Sequence, residues 1–195
     1  MMRTLIITAF VSLDGVMEAP GGEEGYRNTG WTFNQIHHDG AAYELKDREQ
    51  AEAGALLLGR RSYEAFAPVW PTMTEEFARY NTIPKHVVST TLQEGDLVEG
   101  WGEISILRSV DEVARLKETD GGPLVVHGSA SLGHSLAEAG LVDRYHLLVF
   151  PLLLGAGKRL FSDADQDATR LELIEHQAYG NGVQKMIYDT TREGP

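Results

Sequence analysis

The chain has 195 residues, a formal net charge of −12 and a pI near 4.9, and this length predicts one domain over 1–195 with a sizeable core. Its acidic balance disfavours nucleic acid and anionic membranes as partners, and no apolar run approaches the roughly 20 residues of a spanning helix. The lack of cysteine excludes disulfides and thiolate metal sites. Since no signal-peptide pattern follows Arg3, we expect a cytoplasmic protein.

The first element is an apolar run over 5–11, which predicts a strand buried on both faces. It ends in a turn containing Asp14 and Gly15. The segment 18–34 then mixes glycine, proline and polar residues with aromatic side chains. Long loops of this kind are commonly functional, so we expect Trp31 and Phe33 to pack against a ligand, with a core position as the alternative.

A helix over 36–53, with Ala41, Leu45 and the stem of Arg48 on one side, precedes a buried strand over 55–58. Its adjacent residues His37 and His38 point in different directions and have no companion carboxylate at ligand spacing, so no metal site is predicted.

The strand runs into a glycine, two arginines and a serine at the start of a short helix. These are Gly59, Arg60, Arg61 and Ser62. Glycine allows close approach, a helix N-terminus offers N–H groups, and arginine donates a fork of hydrogen bonds to phosphate oxygens. The pattern favours phosphate binding; the alternative is that the arginines balance acidic neighbours.

A helix over 74–81 is predicted next, followed by a strand over 85–91 whose end carries Ser89 and Thr90. Ligands bind at such carboxyl ends in open α/β sheets. A short strand over 104–107 and a helix over 110–117 follow.

The central prediction is a buried strand over 124–126, a turn of small residues over 128–131, and a helix. Such a turn leaves backbone N–H groups at a helix N-terminus, where the dipole attracts an anion. An ordinary turn with a serine cap remains the alternative.

The last part of the chain predicts a strand over 145–150, a glycine turn over 152–158, and two strands joined by Asn181-Gly182, a hairpin pattern. The chain therefore alternates β and α early and ends in an antiparallel hairpin. This indicates an α/β domain with a mixed sheet that is parallel at its centre.

Five segments occur in a familiar order: SLDG, LLLGRRSYE, VVSTTL, VHGSASL and GLVDRYHLLVFPLLLGAGKRLF. Together they resemble the dihydrofolate reductase superfamily, and most closely the reductase domain of riboflavin biosynthesis. The resemblance covers essentially the whole chain. It implies a three-layer fold with helices on both faces of the sheet, NADPH as cofactor, and a homodimer.

The resemblance also implies positions for the cofactor. Gly59, Arg60, Arg61 and Ser62 would meet its phosphates, and Ser89 and Thr90 would lie beside the adenosine ribose and its 2′-phosphate. The turn that cradles the pyrophosphate would comprise Gly128, Ser129, Ala130, Ser131 and Leu132. The nicotinamide would be bordered by Ala9, Gly15 and Val16. His127 stands where relatives usually have glycine, and it could touch phosphate or substrate.

From this resemblance we expect hydride transfer from NADPH to a small, heterocyclic, pterin- or pyrimidine-like acceptor. Asp14 is the candidate to orient or relay the accompanying proton, and a purely structural turn residue is the equal alternative. Nothing in the spacing makes Asp39, Glu44 or Asp47 a folate-binding carboxylate, so folate is not predicted. The competing functions are a non-catalytic NADP(H)-binding sensor or assembly module and a reductase that prefers NADH.

Overall fold

The computed structural model describes residues 2–163 and 168–191, and its centre is one sheet of eight strands. The strands are β1 (Leu5–Ser12), β2 (Ala55–Gly59), β3 (Lys85–Val88), β4 (Ile104–Leu107), β5 (Leu124–His127), β6 (Arg144–Phe150), β7 (Leu171–Ala178) and β8 (Gln184–Thr190). Their order is β4-β3-β2-β5-β1-β6-β8-β7. The first six in this order are mutually parallel, and β8 and β7 form an antiparallel hairpin on β6.

Helices cover both faces of the sheet and make the fold three-layered. They are α1 (Trp31–Asn34), α2 (Gly40–Glu52), α3 (Arg60–Phe66), α4 (Val110–Lys117) and α5 (Ala130–Glu138). One core lies between the sheet and α4 and α5, through Val113 and Leu136; the other face packs against α2 and α3, through Leu45 and Phe66. The predicted fold class, including the antiparallel hairpin, is confirmed. Among the described residues, no helix combines the length and apolarity that crossing a bilayer needs.

Helix α2 begins four residues later than predicted and buries a different face. Asp39 caps it by accepting a hydrogen bond from the Ala41 N–H at 3.1 Å. Its buried residues are Ala42, Leu45 and Glu49, rather than Ala41 and Arg48. A hydrophobic pattern places a polar residue such as Glu49 on the exposed side of a helix. Glu49 is buried because residues that hydrogen-bond to its carboxylate lie on the sheet beneath α2.

The segment 74–81 forms successive turns instead of the predicted helix. Only some of its N–H groups bond in the helical pattern, such as Phe77 to the Met73 carbonyl and Asn81 to the Phe77 carbonyl. The rings of Phe77 and Tyr80 stack on Trp70, with centroids 4.2 and 5.8 Å away. Tertiary stacking of large rings therefore outweighs local helix propensity.

Candidate cofactor and substrate site

The carboxyl ends of the parallel strands lie along one edge of the sheet, where open α/β folds bind ligands. The segments that the sequence singled out follow β1, β2, β3 and β5 directly. Because these strands are neighbours or nearly so, their end segments come together. The predicted cofactor residues that follow these strands are thus gathered at one edge of the sheet.

The junction between β2 and β5 is held together by Ser129. Its hydroxyl accepts a hydrogen bond from the Gly59 N–H at 2.9 Å and donates one to the Ser62 hydroxyl at 2.8 Å. Gly128 and Ser129 both have left-handed backbones, with φ of +69° and +63°. A Cβ at residue 128 would lie 3.4 Å from the Ser62 hydroxyl oxygen, an ordinary contact, so the left-handed backbone is what favours glycine here.

The first turn of α5 has N–H groups available for an anion. Ser129 occupies the N-cap position, but its side chain makes no capping bond within α5. Its hydroxyl is used instead by Gly59 and Ser62. A left-handed non-glycine residue costs on the order of 1 kcal/mol, and such strain is common at binding sites. The uncapped N-terminus and the helix dipole together suit a phosphate.

Arginine side chains border this edge. The Arg60 guanidinium pairs with Glu64 at 2.7 Å and donates to the Thr91 hydroxyl at 2.7 Å. Arg61 is exposed and has no hydrogen bond or ion pair with any described residue. Arg108, which the sequence reading missed, follows β4 and donates to the carbonyls of Ser89 and Leu92 at 3.0 and 2.6 Å. Three arginines thus follow β2 and β4 at this edge, and Arg61 is the one of them without a partner among the described residues.

Ser89 and Thr90 lie in the turn after β3, and their surroundings differ. The buried Ser89 hydroxyl accepts the N–H groups of Thr91 and Leu92 at 3.3 and 3.1 Å. It therefore shapes the turn. Thr90 is exposed and follows it directly.

The carboxylate of Asp14 ties the turn after β1 to the segment after β6. It accepts hydrogen bonds from the Ser12 hydroxyl at 2.6 Å and from the N–H groups of Leu154 and Gly155 at 3.1 and 2.7 Å. The bond from Ser12, with those from Gly155 and Leu154, lowers the pKa of Asp14 to about 2. This geometry favours the turn-residue interpretation, and the catalytic role stays a prediction.

The other residues expected around the nicotinamide lie close to this turn. Gly15 has φ of +85°, and Val16 is buried and bridges to Arg159. The Ala9 side chain is buried in the core on the α5 side, so only its backbone can border a ligand on the opposite side of the sheet.

Trp31 and Phe33, the two predicted substrate contacts, have different environments. Trp31 is fully buried, donates its indole N–H to the Glu18 carbonyl at 2.8 Å and meets Phe150 edge-on. This favours the core alternative for Trp31. Phe33 is 56% exposed and stacks on Tyr43 with centroids 6.2 Å apart. Phe33 therefore remains available to a ligand.

A row of polar residues crosses the sheet on its α2-facing side. Thr8 on β1 is in register with His127 on β5 and with His146 on β6. The buried Glu49 carboxylate accepts hydrogen bonds from the Thr8 hydroxyl at 2.9 and 2.8 Å, lies 2.9 Å from His146 Nδ1 and pairs with Lys46 at 3.2 Å. Burial alone raises the pKa of Glu49, but the Lys46 charge, with hydrogen bonds from His146 and Thr8, lowers it to about 2.

His127 faces an aromatic wall on the same side of the sheet. Its ring lies 5.0 Å from Trp70, 5.9 Å from Phe66 and 6.0 Å from Tyr80. Burial, with the charge of Lys46, lowers the pKa of His127 to about 4, so the ring is neutral at pH 7. Within the described part of the chain, His127 Nδ1 and the Tyr80 hydroxyl are buried without a hydrogen-bond partner. Such atoms cost roughly 1–3 kcal/mol each unless a ligand or water satisfies them.

The sequence reading also missed Lys46, Glu49 and the buried His146. One signal was available: the thin apolar stripe of α2 has a lysine and a glutamate three positions apart. That spacing places both on one side of a helix. It cannot show that the side is buried.

The sheet order and helix layers define the dihydrofolate reductase-like class of α/β fold. Within it, the chain belongs to the RibD C-terminal domain family, whose model matches residues 3–185. It is 28% identical to the uncharacterized protein YyaP of Bacillus subtilis (strain 168), over 95% of this chain and 94% of that protein.

Two solved structures carry the same fold at low identity. A putative riboflavin biosynthesis protein from Shewanella sp. PV-4 aligns with a TM-score of 0.73 and 16% identity, over 97% of this chain and 100% of that one. A dihydrofolate reductase from Enterococcus faecalis, complexed with NADP(H) and RAB-propyl, aligns with a TM-score of 0.58 and 15% identity, over 98% and 100%.

Proposed function

We propose that the protein is an NADPH-dependent reductase that transfers hydride to a small, heterocyclic, pterin- or pyrimidine-like acceptor. The observation that carries this is the junction of Gly59, Ser62 and Ser129, which joins the uncapped N-terminus of α5 to the start of α3, where Arg60 and Arg61 lie. The family membership and the NADP(H)-bound reductase of the same fold support it.

The residues present fit a dinucleotide phosphate. The first-turn N–H groups of α5, from Ala130 to Leu132, would hold the pyrophosphate. Arg61, which is exposed and has no partner among the described residues, would hold the phosphate on the adenosine ribose. Ser89 and Thr90 would shape the turn that borders that ribose.

The nicotinamide end would lie beside the backbone of Ala9 and the turn at Gly15 and Val16. NADPH, when bound, supplies the hydride. The chain's own task is to hold the acceptor against that end and to exclude water. The exposed ring of Phe33 offers apolar surface for a planar acceptor.

The test is a calorimetric titration with NADPH and NADH. Arg61→Ala should weaken NADPH binding by roughly 10- to 100-fold, the worth of a hydrogen bond to a charged group, and leave NADH nearly unchanged. Arg48→Ala is the matched control, because Arg48 is also an exposed arginine but pairs with Glu175 of β7. Equal losses for both cofactors would contradict the 2′-phosphate assignment, and no binding of either would end the reductase proposal.

The engagement of the Asp14 carboxylate keeps one alternative open. The Asp14 carboxylate is held by hydrogen bonds from Ser12, Leu154 and Gly155. If Asp14 were the only possible proton donor, the protein would bind NADP(H) but would not reduce an acceptor. Oxidation of NADPH in the presence of any heterocyclic acceptor rules out this non-catalytic module.

A further inference from the structure

Lys46 has an unused hydrogen-bond donor at the buried polar row. Its ammonium donates to the Thr8 hydroxyl and to Glu49, which uses two of its three N–H bonds. No described residue accepts the third. The side chain is 15% exposed, and the nitrogen lies 4.9 Å from the centre of the Phe10 ring. The lysine is therefore rigidly held and still reachable from outside.

Two unpaired polar atoms lie near Lys46, one on β5 and one in the segment 74–81. His127 is beside Thr8 in the β1–β5 ladder, and its Nδ1 and the Tyr80 hydroxyl have no partner among the described residues. Lys46 and Glu49 both contact the Thr8 hydroxyl, and Thr8 is the register partner of His127, so the three groups lie on the same side of the sheet. Polar atoms without partners between aromatic rings are typical of a ligand site.

The position of these groups relative to the proposed cofactor site is also suitable. His127 immediately precedes the turn assigned to the pyrophosphate, and Thr8 immediately precedes Ala9, assigned to the nicotinamide border. An acceptor between Lys46 and His127 would therefore lie beside the reactive end of the cofactor.

We infer that Lys46 is the catalytic acid of this site: its ammonium contacts an acceptor bound beside His127 and gives it a proton. This inference rests on the proposed reductase function. The acceptor carbon gains a hydride from the cofactor as a new C–H bond forms. The electron pair of its C=N or C=O bond moves to the heteroatom, which takes the proton of Lys46. The products are the reduced acceptor, oxidised cofactor and a neutral lysine, which regains a proton from solvent.

The surrounding groups define positioning roles and a substrate class. Thr8 and Glu49 hold the ammonium, and His146 holds Glu49 from the other side. The neutral His127 ring and the Tyr80 hydroxyl can each donate or accept a hydrogen bond. The site therefore suits a planar ring with adjacent polar atoms, whose C=N or C=O bond is conjugated with the ring.

The Lys46→Arg variant distinguishes a proton-donating role of Lys46 from a purely structural role of its positive charge. Arginine keeps the positive charge beside Glu49, but its guanidinium does not give up a proton in proteins. With 7,8-dihydropterin as acceptor, we expect this variant to lose roughly 100-fold or more in kcat, the contribution of a positioned general acid. Its NADPH affinity and unfolding midpoint should stay close to those of the wild type. Lys185→Arg is the matched control, since Lys185 is 12% exposed and pairs with Glu175.

Acylation with acetic anhydride tests the contact without turnover. Addition of 7,8-dihydropterin or 5,6-diaminouracil should slow modification of Lys46, read by peptide mass spectrometry, and leave Lys185 unchanged. The inference is overturned if neither probe protects Lys46 from acylation. It is also overturned if Lys46→Arg and Lys185→Arg have equal kcat with 7,8-dihydropterin, or if the wild type does not reduce 7,8-dihydropterin. Failure of NADPH to bind the wild type contradicts the proposed function separately, because protection of Lys46 does not require the cofactor.

Discussion

The Thr8 hydroxyl on β1 contacts both carboxylate oxygens of Glu49 on α2, at 2.9 and 2.8 Å, across 41 positions of sequence. This contact fixes the helix to the sheet. It is one of several bonds that keep a fully buried carboxylate ionised, together with those from Lys46 and His146. The same arrangement that anchors α2 thus positions Lys46.

Replacing Glu49 should strongly destabilise the fold. Glu49→Gln leaves the Lys46 charge without its buried partner, and breaking a buried pair costs roughly 3–5 kcal/mol in free energy of unfolding. Urea denaturation measures this change. The control is Glu175→Gln, a half-exposed residue paired with Arg48 and Lys185, for which we expect about 0–1 kcal/mol. Similar losses of free energy of unfolding in the two variants would show that the buried network stabilises the fold no more than an exposed ion pair does.

Acid should remove part of this stability. The pKa of Glu49 is about 2 in the folded protein and 4.5 ordinarily, and that of Asp14 is about 2 against 3.8. The unfolded chain therefore binds protons first, so the stabilisation is complete above about pH 4.5 and is lost as the pH falls towards 2. Denaturation midpoints across this range should fall steeply for the wild type. Glu49→Gln should show a shallower fall, and an unchanged slope would contradict the role of Glu49.

Alanine substitutions at two glycines with similar backbone angles distinguish the effect of backbone strain from an effect on cofactor binding. Gly128 and Gly140 have φ of +69° and +65°, so alanine at either should cost roughly 1–2 kcal/mol in free energy of unfolding. At 128 the new Cβ would also lie 3.4 Å from the Ser62 hydroxyl and 3.5 Å from Phe66, whereas nothing lies within 4 Å at 140. Because Gly128 lies in the turn proposed to hold the pyrophosphate, Gly128→Ala should weaken NADPH binding in calorimetry, and Gly140→Ala should not. Equal affinities would remove this turn from the cofactor site.

Dimerisation stays a prediction, and the structure offers a surface for it. Leu173, Tyr188 and Tyr145 lie side by side across β7, β8 and β6, and Phe161 packs against Tyr145. Phe161 and Leu173 are 47% and 44% exposed, as expected of an apolar interface. Light scattering at micromolar concentration should give twice the monomer mass, and Leu173→Lys should reduce it. A monomeric wild type would contradict the prediction.

Much of the fold could be predicted because its signals are local. Apolar runs bounded by glycine or proline predicted most of the strands, and Asn181-Gly182 predicted the hairpin between β7 and β8. The phosphate-binding candidates could be found in the same way, because glycine, arginine and small residues after a strand have a chemical meaning that needs no partner. The helix predicted over 74–81 was wrong, because its aromatic rings stack on the distant Trp70.

The sequence by itself thus determined the order of strands and helices and the chemistry expected after β2 and β5. Only the tertiary structure decided which polar groups are buried, since burial depends on partners far along the chain. Glu49 is inside because Thr8 and His146 meet it from 41 and 97 positions away. Asp14 is engaged because Leu154 and Gly155 fold back onto it. A side chain's reactivity depends on such neighbours, and residue type and spacing alone do not contain them.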